Sequence, residues 1–157
     1  MYVCPQLLYI TIPATAIETL IQGEPNVAID APRRAVSPVV SIVDDDPWAR
    51  EGITNLVASL GYRALSFASA REFLESDYAS DTRCLILDLQ MPGLSGLDLQ
   101  ELLIAQGHNI AVIMMTAYPE DKSRKRALDA GAAEFFVKPL DEAKLALSLM
   151  IAFGPAR

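Results

Sequence analysis

Asp88 closes the apolar run Cys84-Leu85-Ile86-Leu87 and is followed by Leu89-Gln90 and a Met91-Pro92-Gly93 turn. Four apolar residues before an acid and a turn describe a buried strand with a carboxylate at its C-terminal edge. Ligands bind at that edge in open α/β sheets, and an Asp there can be a nucleophile, a metal ligand or a cap. Asp44-Asp45-Asp46 ends a second apolar run, Thr116 ends a third and Lys138 a fourth. Carboxylates gathered at one edge repel, and they cannot all remain ionised unless a cation sits among them. Hard oxygen donors with no His or Cys nearby suit Mg²⁺, which keeps several waters and takes one or two protein carboxylates. The Lys138 ammonium could pair with Asp88 at rest and with a phosphoryl oxygen afterwards, and Thr116 adds a hydroxyl donor. Metal, ammonium and hydroxyl are what a transferring phosphoryl group needs around its oxygens. Asp88 would then be the nucleophile that forms an aspartyl phosphate.

The elements that must position these groups follow from periodicity. Val39 to Val43 predicts a buried strand. Pro47 suits a first helical turn, and Ile53, Leu56, Val57 and Leu60 then recur at helical spacing until Gly61. Arg63 to Phe67 predicts a second strand. Ser69 with Glu72 predicts a capping box that opens a short helix with Phe73 and Leu74 inward. Cys84 to Asp88 is the third strand, and Ser95 caps a helix carrying Leu97, Leu99, Leu102, Leu103 and Ile104. Ile110 to Met115 predicts the fourth strand, 120–130 a helix, Glu134 to Val137 the fifth strand and 141–152 the last helix. Five strands alternating with five helices imply one doubly wound parallel sheet covered on both faces.

The 157 residues suffice for one domain with a real core, and a hydrophobic fraction of 52% with 21% charged is that of a compact chain. A net charge of −7 excludes an extended basic footprint for nucleic acid. No run of 18 uncharged apolar residues marks a membrane span. The N-terminal stretch lacks a basic n-region and is broken by Pro5 and Pro13, so no secretory signal is expected. A cytoplasmic protein with reduced cysteines is the expectation, Cys84 acting as a small apolar strand residue. Residues 1–37 carry four prolines, Pro5, Pro13, Pro25 and Pro32, with Pro38 just beyond, and a short apolar stretch but no clean period. They are expected to form a poorly ordered extension, with at most one short helix from Thr15 to Gln22, ahead of a domain over 38–157.

The elements Val43-Asp44-Asp45-Asp46, Asp88 to Gly96, Thr116-Ala117 and Lys138-Pro139, in this order, resemble those of the response-regulator receiver domain of two-component signalling, close to the nitrogen-fixation-regulator type. Their separations match too: 44 residues from Asp44 to Asp88, 28 to Thr116 and 22 more to Lys138. The resemblance implies the flavodoxin-like receiver fold. It implies that Asp88 accepts a phosphoryl group from a phosphohistidine on a sensor histidine kinase or phosphotransfer protein. It implies Mg²⁺ on Asp45 and Asp88 directly, on Asp44 mainly through water, and on the Gln90 backbone carbonyl. Thr116 should turn toward the phosphoryl group, Lys138 should contact it, and Phe135 should rotate inward as the switch aromatic. Gln90 and Tyr118 would flank the path of the hydrolytic water; both are bulky and neutral, so slow autodephosphorylation is expected. The chain ends at Arg157, soon after the last helix, so a receiver without an output domain, acting by contact with a downstream protein target, is expected, with a truncated transcription regulator as the alternative. A homodimer on phosphorylation is compatible with it, and no direct nucleic-acid or membrane partner is expected.

Blander roles exist for each group taken alone. The Asp triplet could only cap a helix, with Asp46 the strongest candidate for that; Thr116 could cap a strand end, Lys138 be a surface lysine and Phe135 plain core. Lys122, Arg124, Lys125 and Arg126 could be a solvated helix face or a partner surface. His108 reads as incidental, and Met91, Met114 and Met115 as turn or core. An aspartate-nucleophile phosphohydrolase would want a second acid where Gln90 stands. A dinucleotide site would want a Gly-rich loop where Asp44-Asp45-Asp46-Pro47 would repel a pyrophosphate.

Overall fold

A computed structural model describes residues 39–153, and the helix expected from Thr15 to Gln22 lies outside them. Five strands form the sheet: β1 (Val39–Val43), β2 (Arg63–Phe67), β3 (Thr82–Asp88), β4 (Ala111–Thr116) and β5 (Glu134–Val137). Between and after them run helices α1 (Pro47–Ser59), α2 (Ala70–Glu75), α3 (Gly96–Ala105), α4 (Asp121–Asp129) and α5 (Glu142–Phe153). All pairings are parallel, in the order β2-β1-β3-β4-β5. The chain leaves β1 to one side for β2 and then crosses to the other side for β3. The carboxyl ends of β1 and β3 are therefore the switch point, where such sheets open a crevice.

The inner strands β1, β3 and β4 are largely apolar because they are covered on both faces, and the alternation along the strands divides the core in two. Leu85 and Leu87 of β3 join Phe73, Leu99, Leu103, Met114 and Phe135 in one cluster. Cys84 and Ile86 join Val40, Ile42, Ile53, Val57, Met115, Phe136, Leu145 and Leu149 in the other, under α1 and α5. This parity decides the site. Asp44, Asp88 and Lys138 continue the positions of Ile42, Ile86 and Phe136, on the α1/α5 side. Thr116 and Phe135 fall in step with Met114 and the opposite cluster.

Strand boundaries agree with the periodicity except that β4 lies one residue later, over Ala111–Thr116 rather than Ile110 to Met115, and β3 begins two residues earlier. Thr82 is buried there and its hydroxyl lies 2.8 Å from that of Ser41 on β1. At α2, Ser69 accepts the Glu72 amide at 3.1 Å, but the Glu72 carboxylate takes the Ala68 amide rather than that of the cap. The reciprocal box forms instead at α3, between Ser95 and Asp98. Of the apolar residues that α3 carries, Ile104 is 54% exposed, whereas the polar Gln100 is buried. The reason is helical phase: Leu99 and Leu103 share a face at i,i+4 and leave Ile104 turned about 100° away. Gln100 Nε2 donates to the Ala127 carbonyl at the end of α4 at 3.1 Å.

Candidate functional site

Three carboxylates gather at the β1–β3 switch point: one oxygen each of Asp44, Asp45 and Asp88 can be chosen so that all lie within 4.8 Å of one another. Asp44 is fully buried, Asp88 is 5% exposed and Asp45 is exposed. Local bonds explain the arrangement of the triplet. Asp44 Oδ1 accepts the Asp46 amide at 2.9 Å, and Asp46 Oδ1 accepts the Trp48 amide at 3.0 Å, which makes Asp46 the cap of α1. Asp46 thus takes the capping role that sequence reasoning allowed it, leaving Asp44 and Asp45 to the crevice.

Lys138 reaches this cluster from the end of β5, with its Nζ 2.8 Å from Asp44 Oδ2 and 3.2 Å from Asp88 Oδ1. The expected pairing with Asp88 is the weaker of the two. The contact at 3.2 Å lacks hydrogen-bond alignment, so Asp88 Oδ1 is buried with no hydrogen-bond partner. Burial pushes the Asp88 carboxyl above the ordinary carboxylate value, against the attraction of Lys138, and repulsion from Asp44 and Asp45 adds to the rise. Lys138 moves upward as well: burial alone would lower it, but its bond to Asp44 and the charges of Asp88 and Asp44 outweigh that. A buried oxygen without a partner, among three acids and one ammonium, is under-compensated in positive charge. The donor set therefore fits a hard divalent cation such as Mg²⁺.

Two further groups complete the crevice. Arg50 on α1 donates to the Asp44 carbonyl at 2.5 Å, a contact that sequence reasoning missed because Arg50 reads as an ordinary polar helix position. Gly96 opens α3 against the end of β3. A Cβ there would overlap the Asp88 carbonyl oxygen and stand 3.0 Å from Leu89 Cα, so only glycine lets the helix start this close. Its amide donates to the Leu89 carbonyl at 3.1 Å, and Gly93 makes the preceding turn at φ +81°.

Thr116 is fully buried, and its hydroxyl is bonded to the two residues expected to flank the water path. It accepts the Tyr118 amide at 3.0 Å and stands 3.2 Å from both Gln90 Oε1 and the Tyr118 carbonyl. Phe135 was expected to rotate inward, yet it is already buried at 4% exposure, with the Arg124 guanidinium 5.9 Å from its ring centre. Strand parity accounts for this, since Phe135 points into the cluster that contains Met114. Of the basic residues on α4, Lys125 pairs with Asp129 and Arg126 with Glu101 on α3, so half of the cluster serves its own surface. His108 sits in the turn after α3 and takes no part. Cys84 is a free, buried thiol, pushed by burial up to about 12, as an apolar strand residue should be. The Lys138–Pro139 peptide is cis.

The fold and this edge define a class: a five-stranded, doubly wound α/β domain with an acidic crevice at its switch point. A model of the response regulator receiver domain matches residues 40–150. Nodulation protein W of Bradyrhizobium diazoefficiens is 39% identical over 68% of this chain and 47% of its own length. The transcriptional regulatory protein FixJ of Azorhizobium caulinodans is 36% identical over 73% of this chain and 54% of its own length. The chain thus spans about half the length of these curated relatives. Among solved structures, the FixJ N-terminal domain superposes with a TM-score of 0.67 at 29% identity, covering 76% of this chain and 95% of that one. A receiver protein from Pseudoalteromonas atlantica gives 0.70 at 27% identity, covering 76% and 100%. The chain belongs to the response regulator receiver domain family of two-component signalling. Among the described residues, no helix is long and apolar enough to cross a membrane.

Proposed function

We propose that this chain is a phosphorylatable switch in which Asp88 accepts a phosphoryl group from the phosphohistidine of a sensor kinase or phosphotransfer protein. The observation that carries this reading is the Asp88 carboxylate itself: buried at the crevice edge, with Oδ1 accepting no hydrogen bond and only the Lys138 ammonium 3.2 Å away. A carboxylate oxygen of Asp88 attacks phosphorus, the new P–O bond forms as the P–N bond breaks, and the imidazole leaves with the electron pair. Lys138, held between Asp44 and Asp88, meets the negative charge that arrives with the phosphoryl oxygens. Asp45, Asp88 and the Gln90 carbonyl would hold Mg²⁺, with Asp44 behind them through water. When bound, the ion neutralises charge on the phosphoryl oxygens and offsets repulsion among the carboxylates. Thr116 turns its hydroxyl to the phosphoryl group, and the bonds it now makes to Gln90 and Tyr118 must be exchanged for that one. The phosphoryl group biases a two-state equilibrium by this difference in contacts, and Phe135 follows it.

The domain acts as a signalling module rather than as a catalyst of external substrates, and its own chemistry is phosphoryl acceptance and slow hydrolysis. We place it in the cytoplasm, with its kinase. An apolar groove lined by Trp48, Ile53, Leu56, Lys138 and Leu140 adjoins the crevice and suits the donor protein. A second groove, lined by Arg124, Phe135, Val137, Lys144, Leu147 and Ile151, suits a downstream target or a second copy. Intact mass after incubation with acetyl phosphate and Mg²⁺ tests the reading. The wild type should gain one phosphoryl group, and Asp88→Asn or omission of Mg²⁺ should abolish it. An unmodified, folded wild type would contradict it.

A further inference from the structure

The bond between Gln90 and Thr116 has a thermodynamic consequence for the switch. Thr116 Oγ1 carries one proton and is fully buried. Its acceptors at rest are Gln90 Oε1 and the Tyr118 carbonyl, both at 3.2 Å, while the Tyr118 amide occupies one of its lone pairs at 3.0 Å. Gln90 is itself on the surface, two residues beyond Asp88, so its side chain reaches back into the crevice only to meet this hydroxyl. A hydroxyl with one proton cannot serve Gln90 and a new anionic acceptor on Asp88 together. Strand parity sharpens the conflict: Thr116 continues the positions of Val112 and Met114, on the side opposite that of Ile86 and Asp88, so its hydroxyl must be redirected to meet a group on Asp88.

We infer that the Gln90 side chain is a resting-state latch on Thr116, a positioning residue that opposes activation and sets how readily the site accepts a phosphoryl group. The inference rests on the reading of Asp88 as phosphoacceptor and adds the residue that tunes it. The latch acts through Thr116 and not through the cation, because substitution of the side chain leaves the Gln90 backbone carbonyl in place. Gln90 also stands where water would approach, so a phosphoryl mimic that cannot be hydrolysed separates the latch from hydrolysis.

Calorimetric titration of the whole chain with beryllium fluoride in the presence of Mg²⁺ provides the test, in wild type, Gln90→Ala, Thr116→Val and the double variant. Losing one neutral hydrogen bond that exists only at rest should tighten binding in Gln90→Ala about three- to tenfold. In the Thr116→Val background the same substitution should change the affinity little, since no hydroxyl remains to be released. Unchanged or weaker binding by Gln90→Ala with Thr116 present would overturn the latch, as would an equal gain with Val at position 116. A wild type that binds Mg²⁺ but no beryllium fluoride would instead overturn the phosphoacceptor reading, and the latch with it.

Discussion

Lys138 is hydrogen-bonded to Asp44, at 2.8 Å, and stands beside Asp88 at 3.2 Å without the alignment of a hydrogen bond. The ammonium therefore compensates the fully buried acid first and leaves the reactive one under-served. This ordering suits a group that must receive something. Removing Lys138 strands Asp44 as a buried charge without its counter-ion, which costs about 3–5 kcal/mol when a buried pair is broken from one side. Lys138→Met should lower stability by that order in urea titrations without divalent ions, and Mg²⁺ should recover part of the loss. A variant as stable as the wild type in chelator would contradict the pairing.

Asp88 carries the opposite sign. Its carboxyl is held above the ordinary value by burial and by Asp44 and Asp45, so its ionised form is a penalty on the folded state. Asp88→Asn should raise stability at neutral pH without Mg²⁺. It should also shrink the rise in Tm that Mg²⁺ gives the wild type. Thermal melts with and without Mg²⁺ check both, and a less stable Asn variant in chelator would count against the account.

Gly96 is the position where backbone meets backbone. A methyl group there would overlap the Asp88 carbonyl, and neither β3 nor the start of α3 can yield without moving the site. Gly96→Ala should cost about 1–3 kcal/mol, the order of overpacking with backbone shift, and should weaken Mg²⁺ binding. Gly52→Ala is the control, since a Cβ there meets nothing within 4 Å. Equal melts for the two variants would refute the contact.

The capping box of α3 gives a pH-dependent contribution away from the crevice. Bonds from the Ser95 hydroxyl and amide hold the Asp98 carboxyl below its ordinary value of 3.8. A depressed folded value stabilises above the unfolded one and is lost as pH falls through the folded one. Asp98→Asn should therefore be less stable than wild type at pH 7, by under about 1 kcal/mol at so exposed a site. The gap should close as pH falls below 3.8. A gap that is constant with pH in paired urea titrations would contradict this origin.

Cys84 should be inert in the native state. Burial holds its thiol near 12, so thiolate is scarce at ordinary pH and reagents cannot reach it. Alkylation followed by peptide mass spectrometry should leave the Cys84 peptide unlabelled in native buffer and labelled in denaturant. Rapid native labelling would show that β3 opens locally.

Much of this molecule is legible in its sequence because its inner strands are buried on both faces and therefore read as nearly continuous apolar runs. β1, β2 and β5 fall where periodicity puts them, and Asp44, Asp45, Asp88 and Lys138 converge as strand ends of a parallel sheet must. Three-dimensional phase was less legible. Ile104 is exposed and Gln100 buried because hydrophobicity alone does not fix which face of a largely apolar helix turns inward. The Arg50 contact to the Asp44 carbonyl, and the bond from Thr116 to Gln90, join side chains to distant or backbone partners. No local sequence signal encodes them.

The central claim is that Asp88, rather than its acidic neighbours, takes the phosphoryl group. Borohydride reduces an acyl phosphate to an alcohol, so treating the acetyl-phosphate-loaded chain should convert the modified aspartate to homoserine. Peptide sequencing by mass spectrometry should find homoserine at position 88 alone, only when Mg²⁺ was present. Homoserine at position 44 or 45, or at none under conditions where the domain is folded and binds Mg²⁺, would contradict the account.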